Sequence, residues 1–219
     1  NRAIKFSGDA WPGTEDHPDM IKGNYFLVQT DASKISNTGF SLSFWIKGDF
    51  SGKYTYPIIH QSNGIYSVPK WLVTFRGEEY SSGGEGGGLY FTRAPSNPQW
   101  FFGYEDSEIF NSNRWTSITY TYDGNTLRLF EDGRSVGTKS VSNLIPSSIT
   151  APLIVGADEL GGYSFSGSFD DFRIYNRALS LDEVVDIYEK DTNATDNKIF
   201  AENFDELNLG AFESDSESG

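Results

Sequence analysis

Apolar and polar residues alternate with a period of two through most of the chain, which is the pattern of strands that bury one face. The clearest run is 40–46, where Phe40, Leu42, Phe44 and Ile46 fall on one face. Further strands are predicted at 71–76, 88–93, 99–104, 115–122, 127–130, 135–138 and 151–156. Asp-Gly dipeptides at 123–124 and 132–133 stand between such runs, and Asp-Gly is a strong hairpin signal. The pattern predicts an all-β protein made of two antiparallel sheets.

The segment 169–188 changes from the strand period to the helix period. Along its first part, one face holds Asp170, Phe172 and Ile174. Ser180 and Glu183 then have the spacing of a capping box, which marks the start of a helix. The apolar positions that follow fall on one stripe: Leu181, Val184, Val185 and Tyr188. A strand followed by one short helix over 180–190 is therefore predicted near the end of the fold.

The charge of the chain excludes some classes of partner. Its 219 residues carry 31 acidic and 17 basic side chains, a formal net charge of −14. Such a surface repels nucleic acids and anionic membranes, and the chain has no apolar run long enough to insert into a membrane. It suits neutral ligands and divalent cations. Cysteine is absent, so no disulfide contributes to the fold.

The composition suggests where the domain ends. Residues 1–190 are expected to form one domain, and residues 191–219, which are polar and then acidic, a linker or the start of a following domain. A C-terminal strand that returns to the sandwich is the alternative. Long connections are predicted at 9–23, 76–88 and 104–113. Connections of this length are often functional, and the alternative is an insertion without a function.

Five segments, taken in order, resemble the framework of laminin-G-like, concanavalin A-like jelly-roll domains of the lectin/glucanase superfamily. The segment 3–8 is similar to the opening strand, 40–46 to the strand that carries a framework tryptophan (Trp45), and 169–188 to the closing strand and helix. The segments 113–124 and 127–133 resemble the two strands that end in Tyr-Asp-Gly and Asp-Gly. The resemblance implies a two-sheet antiparallel jelly-roll sandwich with one short C-terminal helix over residues 1–190.

The resemblance also implies a function in binding. Such domains are mostly non-catalytic, lectin-like modules of larger secreted or cell-surface proteins. The expected partners are a polysaccharide or surface glycan and other domains of the same chain, and the expected location is extracellular or at the cell surface. The alternative is a structural or adhesion module that binds a protein partner and has no sugar site. A glycoside hydrolase is a remote alternative.

Calcium is the cofactor that the resemblance implies. In this family the ion ties the opening strand to the closing strand, so the resemblance places its carboxylate ligands at Asp170 or Asp171, with Asp9 and backbone carbonyls of 6–9 completing an oxygen shell. The alternative for Asp170 and Asp171 is a salt bridge or turn hydrogen bond with a neighbour such as Arg173.

Aromatic and polar residues near the long connections are the predicted carbohydrate site. Sugars stack their C–H faces on aromatic rings, and carboxylates and amides bind their hydroxyls. The candidate residues are Tyr80, Trp100, Tyr104, Glu105, Asp106 and Asn111. Trp100, Phe102 and Tyr104 alternate onto one face of a predicted strand, and the alternative is that this face is simply core.

Catalytic chemistry finds little support in the sequence. Retaining glycosidases need two carboxyl groups about 5 Å apart. Acids alternate in short fragments, such as Asp106-Ser-Glu108 and, in the acidic tail, Glu213-Ser-Asp215. The two histidines, His17 and His60, suggest no nucleophile–base pair. The chain is predicted not to be an enzyme.

Overall fold

The computed structural model describes residues 3–7, 25–28, 35–48, 55–61, 71–76, 88–93, 99–104, 114–145, 153–156 and 166–193. Within these ranges the chain forms two six-stranded antiparallel sheets and one helix. This arrangement confirms the predicted jelly-roll sandwich.

The front sheet has its strands in an order that differs from the chain order. Across it lie β1 (Ile4–Ser7), β12 (Ser166–Tyr175), β3 (Phe40–Gly48), β8 (Thr116–Tyr122), β9 (Thr126–Glu131) and β10 (Arg134–Ser140). The back sheet contains β2 (Phe26–Val28), β11 (Leu153–Val155), β4 (Thr55–Gln61), β5 (Trp71–Arg76), β6 (Gly88–Arg93) and β7 (Gln99–Tyr104). The last strand of the chain thus lies between the first and the third.

The core fills the space between the two sheets with apolar side chains from alternate strand positions. Phe169 of β12 is fully buried, and its ring lies 5.1 Å from that of Phe44 and 6.0 Å from that of Phe26. Phe6 of β1 stacks on Phe26 with centroids 6.1 Å apart. Rings from both sheets therefore interlock, and their burial is the main source of stability.

The strand register defines two ends of the sandwich. At the upper end, β1 and β3 finish beside the start of β12, because Ser7 pairs with Ser166 and Gly48 with Gly167. Four strand ends of the back sheet lie side by side there: Thr55, Arg76, Gly88 and Tyr104. The contact of Phe6 with Phe26 joins the two sheets near this end. The lower end is the opposite one.

The helix α1 (Leu181–Asn193) packs on the outer face of the front sheet. Its start confirms the capping box, since Ser180 N–H donates to Glu183 Oε2 (2.9 Å) and Glu183 N–H donates to Ser180 Oγ (3.3 Å). Val184 is buried in a small cluster on that face, as the stripe predicts. Leu181, at the start of the same stripe, is 55% exposed. At 13 residues, the helix is too short and too polar to cross a membrane, and none of the described residues form one that could.

A bulge interrupts β12. The pairing with β3 shifts between Asp170 and Arg173, and Asp171 within this gap has a φ of 51°. On one side of the gap Phe169 lies in the core, and on the other side Ile174 packs against the same core. A bulge inserts residues without a partner and so resets the alternation of faces.

The bulge changes the face on which Asp170 lies. Asp170 pairs with Trp45, which points outward, whereas Phe172 and Ile174 pack against the core. Paired residues share a face of the sheet. The predicted grouping of Asp170 with Phe172 and Ile174 on one face is therefore wrong.

Candidate functional site

Five of the six predicted carbohydrate residues lie in, or directly before, two connections that begin at the upper end of the back sheet. These residues are Tyr80 in 77–87, Tyr104 at the end of β7, and Glu105, Asp106 and Asn111 in 105–113. Arg76 pairs with Gly88, and Leu89 with Tyr104. Because neighbouring strands are about 4.8 Å apart, the two connections leave the sheet within roughly 10 Å of each other.

The side chains of these candidates fall outside what the structure describes. Tyr80, Glu105, Asp106 and Asn111 lie outside the described ranges altogether, and for Tyr104 only the backbone is described. Their contacts with a sugar therefore stay predictions. The described strands establish that the chain enters and leaves both segments at one end of the sandwich.

The structure separates Trp100 from this group. Trp100 pairs with Thr92, four residues along β7 from Tyr104 and so about 13 Å nearer the lower end. The register shifts between the pairs of Phe91 and Thr92, so the unbroken alternation predicted for 100–104 is wrong. The side chain of Trp100 is not described, and its contact with a ligand stays a prediction.

Asp170 and Asp171 make contacts that match the alternative to a metal site. Asp170 Oδ1 accepts a hydrogen bond from the N–H of Asp171 at 2.9 Å. The carboxylate of Asp171 lies 3.6 Å from a guanidinium nitrogen of Arg173. Both side chains are partly buried at the bulge. These contacts stabilise the bulge of β12 and place the positively charged guanidinium of Arg173 beside the carboxylate of Asp171.

The described residues do not assemble the calcium ligands that the resemblance implies. Ser7 pairs with Ser166, which is four residues and about 13 Å along β12 from Asp170. No group of three acidic or histidine side chains with metal-ligand spacing occurs among the described residues. Asp9 lies outside them. Calcium at Asp170 stays a prediction.

A buried aspartate holds the helix on the front sheet. The side chain of Asp191 is 5% exposed and accepts two hydrogen bonds from Arg173, at 2.8 and 2.9 Å. It also accepts the indole N–H of Trp45 at 3.0 Å, and the Trp45 ring stacks on Tyr188. Burial disfavours the guanidinium charge, but the hydrogen bonds and charge of Asp191 outweigh it and raise the pKa of Arg173.

A second arginine pairs with two acids at the upper end of the front sheet. Arg114 donates to Asp132 at 2.7 Å and to Glu131 at 3.1 Å. The hydrogen bond that Arg114 donates to Asp132 is the largest cause of the raised pKa of Arg114. Asp132 also accepts the N–H of Ser117 at 2.9 Å. These contacts hold the ends of β8 and β9 together.

Sequence reasoning missed two further connections of the upper end, 49–54 and 157–165. The first follows Gly48 and the second precedes Ser166, and these strand ends are neighbours in the front sheet. It also missed the role of Asp191, which it placed beyond the domain boundary. The order of strands in a jelly roll is the signal that would have found the two connections.

Solved structures with this fold include toxin and pentraxin domains. The chain is similar to the receptor-binding domain of botulinum neurotoxin C/D mosaic serotype, with 18% identity, a TM-score of 0.59, and coverage of 86% of this chain and 46% of that one. The same coverage and identity, with a TM-score of 0.53, hold for the ligand-binding domain of serotype D in complex with N-acetylneuraminic acid. A heptameric SAP-like pentraxin from Limulus polyphemus is 16% identical, with a TM-score of 0.51 over 85% of this chain and 82% of that one.

These identities establish likeness of fold, and the chain spans about half the length of the toxin domains. We found no match among curated protein sequences. A family model described as the concanavalin A-like lectin/glucanases superfamily matches residues 22–185. That range runs from before β2 into α1 and takes in most of both sheets. The chain belongs to the concanavalin A-like lectin/glucanases superfamily.

Proposed function

We propose that this chain is a non-catalytic, lectin-like carbohydrate-binding module whose sugar site lies at the upper end of the sandwich. The observation that carries the proposal is the register that brings the connections 77–87 and 105–113 to adjacent strand ends. Together these connections contain aromatic, carboxylate and amide side chains. Such a set can stack on a sugar ring and bind its hydroxyls.

Relatives by fold support a sugar as the ligand. One of the similar toxin domains was solved in complex with N-acetylneuraminic acid, and cell entry of botulinum neurotoxin type C depends on two ganglioside molecules. This chain spans less than half of each toxin domain. That a sugar site lies in the part of the toxin domain that matches this chain is therefore itself part of the proposal. The proposal includes an extracellular or cell-surface location and other domains in the same protein as partners.

The engagement of buried acids supports a binding role over catalysis. Asp191 is held by Arg173, and Glu131 by Arg114. A hydrolase of this fold needs one carboxyl group that stays protonated and a second one that is free to attack or to activate water. An arginine keeps its partner carboxylate ionised, so Asp191 and Glu131 are poorly suited to the role of the protonated acid. We therefore expect bound glycans to be recovered intact.

A glycan array probed with the full chain is the first test, and two tyrosine variants locate the site. The strand β5 is bordered by the connection 62–70 at the lower end and by 77–87 at the upper end. Tyr66 lies in the first and Tyr80 in the second. Tyr80→Ala should weaken glycan binding by roughly tenfold, because stacking of an aromatic ring on a sugar is lost. Tyr66→Ala, the matched control, should leave it unchanged.

Each outcome of the array has a distinct meaning. Loss of binding in Tyr66→Ala with binding kept in Tyr80→Ala would move the site to the lower end. If no glycan binds the folded chain, the carbohydrate function is refuted and an adhesion module that contacts a protein takes its place.

Calcium is tested in the same samples by chelation. With a structural ion near Asp170, chelation lowers the melting temperature and leaves glycan binding largely intact. With an ion at the sugar site, binding is lost as well. A melting temperature and binding that are both insensitive to chelation would contradict a calcium site.

A further inference from the structure

The outer face of the front sheet, on which α1 packs, is rich in small hydroxyl side chains. Ser41 of β3 pairs with Thr121 of β8, and Trp45 pairs with Ser117; paired residues lie on the same face of a sheet. Five such hydroxyl residues on this face are at most 3% exposed: Ser41, Ser43, Ser117, Thr119 and Thr121. A sheet face that a helix buries is ordinarily apolar. This one therefore adds little hydrophobic stabilisation to the docked helix.

The segment 177–193 consists of α1 and the residues that lead into it, and we call it the strap. Polar contacts hold the strap near both of its ends. At the start, Ser41 Oγ donates to the carbonyl oxygen of Arg177 and accepts the N–H of Leu179, both at 2.9 Å. At the end, the carboxylate of Asp191 accepts the three hydrogen bonds described above.

The apolar contacts of the strap form a small cluster of their own. Leu179 and Val184 are buried there against Phe130 of β9. Within the described ranges, no side chain of the strap belongs to the main core between the two sheets. The sandwich therefore keeps its core when the strap is released.

One of the covered hydroxyls opposes docking of the strap. Thr121 Oγ1 is buried and has no hydrogen-bond partner among the described residues, and its neighbour across the strands is Ser41, which contacts the strap. A buried hydroxyl without a partner has lost its hydrogen bonds to water. Release of the strap gives water access to this face and so relieves Thr121. The hydroxyl of Thr119, on the same strand, is hydrogen-bonded to Ser43 at 3.1 Å.

From these observations we propose that the strap is a detachable cover, which leaves the front sheet as a unit while both sheets stay folded. A part of a protein with few buried apolar contacts opens at a lower free energy than the whole fold. Release frees the ring of Trp45 from Tyr188, on which it stacks in the docked state. It also uncovers the hydroxyl residues beside Trp45. This polar face is open to solutes only in the released state.

Amide hydrogen exchange of the full chain, followed by mass spectrometry, tests the proposal. Relative to the rates of an unfolded chain, the amides of 184–193 should exchange at least about tenfold faster than those of β3 and β8. Ile118→Val alters the core side of β8 and should speed exchange in β3 and β8 by roughly two- to tenfold. The same variant should leave exchange in the strap unchanged, because release does not involve the core.

Two threonine variants test the part assigned to the buried hydroxyl. Thr121→Val removes a hydroxyl without a partner, so it should slow exchange in the strap by roughly tenfold. The matched control, Thr119→Val, makes the same change two residues away. It removes a hydrogen-bonded hydroxyl and leaves Ser43 without this partner, so it should not slow exchange in the strap.

The outcomes separate release of the strap from unfolding of the domain. If Ile118→Val speeds exchange in the strap and in the strands by the same factor, the strap opens only when the whole domain unfolds, and the proposal is overturned. If Thr121→Val does not slow exchange in the strap, or Thr119→Val slows it equally, the unpaired hydroxyl does not favour release. Neither result depends on a glycan, so the test is independent of the lectin function.

Discussion

The strongest prediction for stability concerns Asp191, the acid that joins α1 to the front sheet. Asp191→Ala removes the acceptor of two Arg173 hydrogen bonds and of the Trp45 indole N–H. The guanidinium of Arg173 is then left with Asp171, which lies at the longer distance of 3.6 Å. The helix keeps its ring contact between Trp45 and Tyr188 but loses its polar anchor.

The size of the loss can be bounded from the burial of the partners. Breaking a fully buried ion pair on one side costs about 3–5 kcal/mol. The side chain of Arg173 is 21% exposed, so water and Asp171 recover part of this cost. The unpaired N–H of Trp45 adds about 1 kcal/mol or more. We expect a loss of about 2–4 kcal/mol, or a fall of roughly 5–15 °C in Tm for a domain of this size.

Thermal and urea unfolding followed by circular dichroism measure this loss. The matched control is Glu189→Ala, an exposed position on the same helix, which should shift Tm by less than about 2 °C. Asp191→Asn keeps an acceptor for Trp45 without the charge, so its Tm should lie between those of the wild type and Asp191→Ala. If Asp191→Ala and Glu189→Ala melt together, the helix is not anchored by this acid and the reasoning fails.

Two further predictions test a glycine and the helix cap. A Cβ on Gly156 would lie 2.0 Å from a carbon of the Phe6 ring, whereas a Cβ on Gly124 would meet its nearest atom at 3.2 Å; the two glycines have nearly the same φ, +98° and +97°. Gly156→Ala should therefore lower the free energy of unfolding in urea by about 1–3 kcal/mol more than Gly124→Ala does. Equal losses in the two variants would contradict this account of the packing. Hydrogen bonds from Arg177 and then Ser180 lower the pKa of Glu183 to about 2, so the stabilisation by its charge is complete above its ordinary pKa and is lost as the pH falls towards 2. The Tm difference between the wild type and Glu183→Gln should accordingly be largest near neutral pH and shrink as the pH falls to about 2 and below. A difference that stays constant over this range would mean the cap does not depend on this charge.

The sequence predicted the regular parts of the fold because its pattern matched the periods of strand and helix. β5, β6 and β7 have the predicted boundaries, and the second Asp-Gly pair forms its hairpin with positive φ at both Asp132 (46°) and Gly133 (74°). Two positive φ values in a two-residue loop match the twist of the adjoining strands. Local chemistry was enough to specify these elements.

The irregular parts depend on contacts that a local pattern does not contain. β4 includes Pro57, and the register of β4 shifts between Pro57 and Ile59. Proline is tolerated in a strand mainly at edges and bulges, and a local pattern does not show where the register shifts beside it. The bulge of β12 likewise lies at Asp171, which has a positive φ and an ion pair with Arg173. The alternation of polar and apolar residues indicates neither the register shift of β4 nor the bulge of β12.

The candidate site was predictable in its residue types and less so in its place. Tyr80 and Asp106 were singled out for their chemistry and their long connections, and the register then showed that these connections share an end of the sandwich. Trp100 was grouped with them by alternation, which the shift in β7 interrupts. The assembly of the upper end follows from pairings between distant strands, which a single sequence does not reveal.

The position of β12 between β1 and β3 has a consequence for how the chain folds during its synthesis. Ile4 pairs with Phe169, so the opening strand has no partner in its sheet until synthesis has passed most of the chain. Pairings this distant close slowly, and the rings of Phe6, Phe26 and Phe44 stay without the Phe169 ring until then. During translation these rings are a surface for chaperones or for wrong partners. The front sheet is thus completed only when β12 enters between β1 and β3.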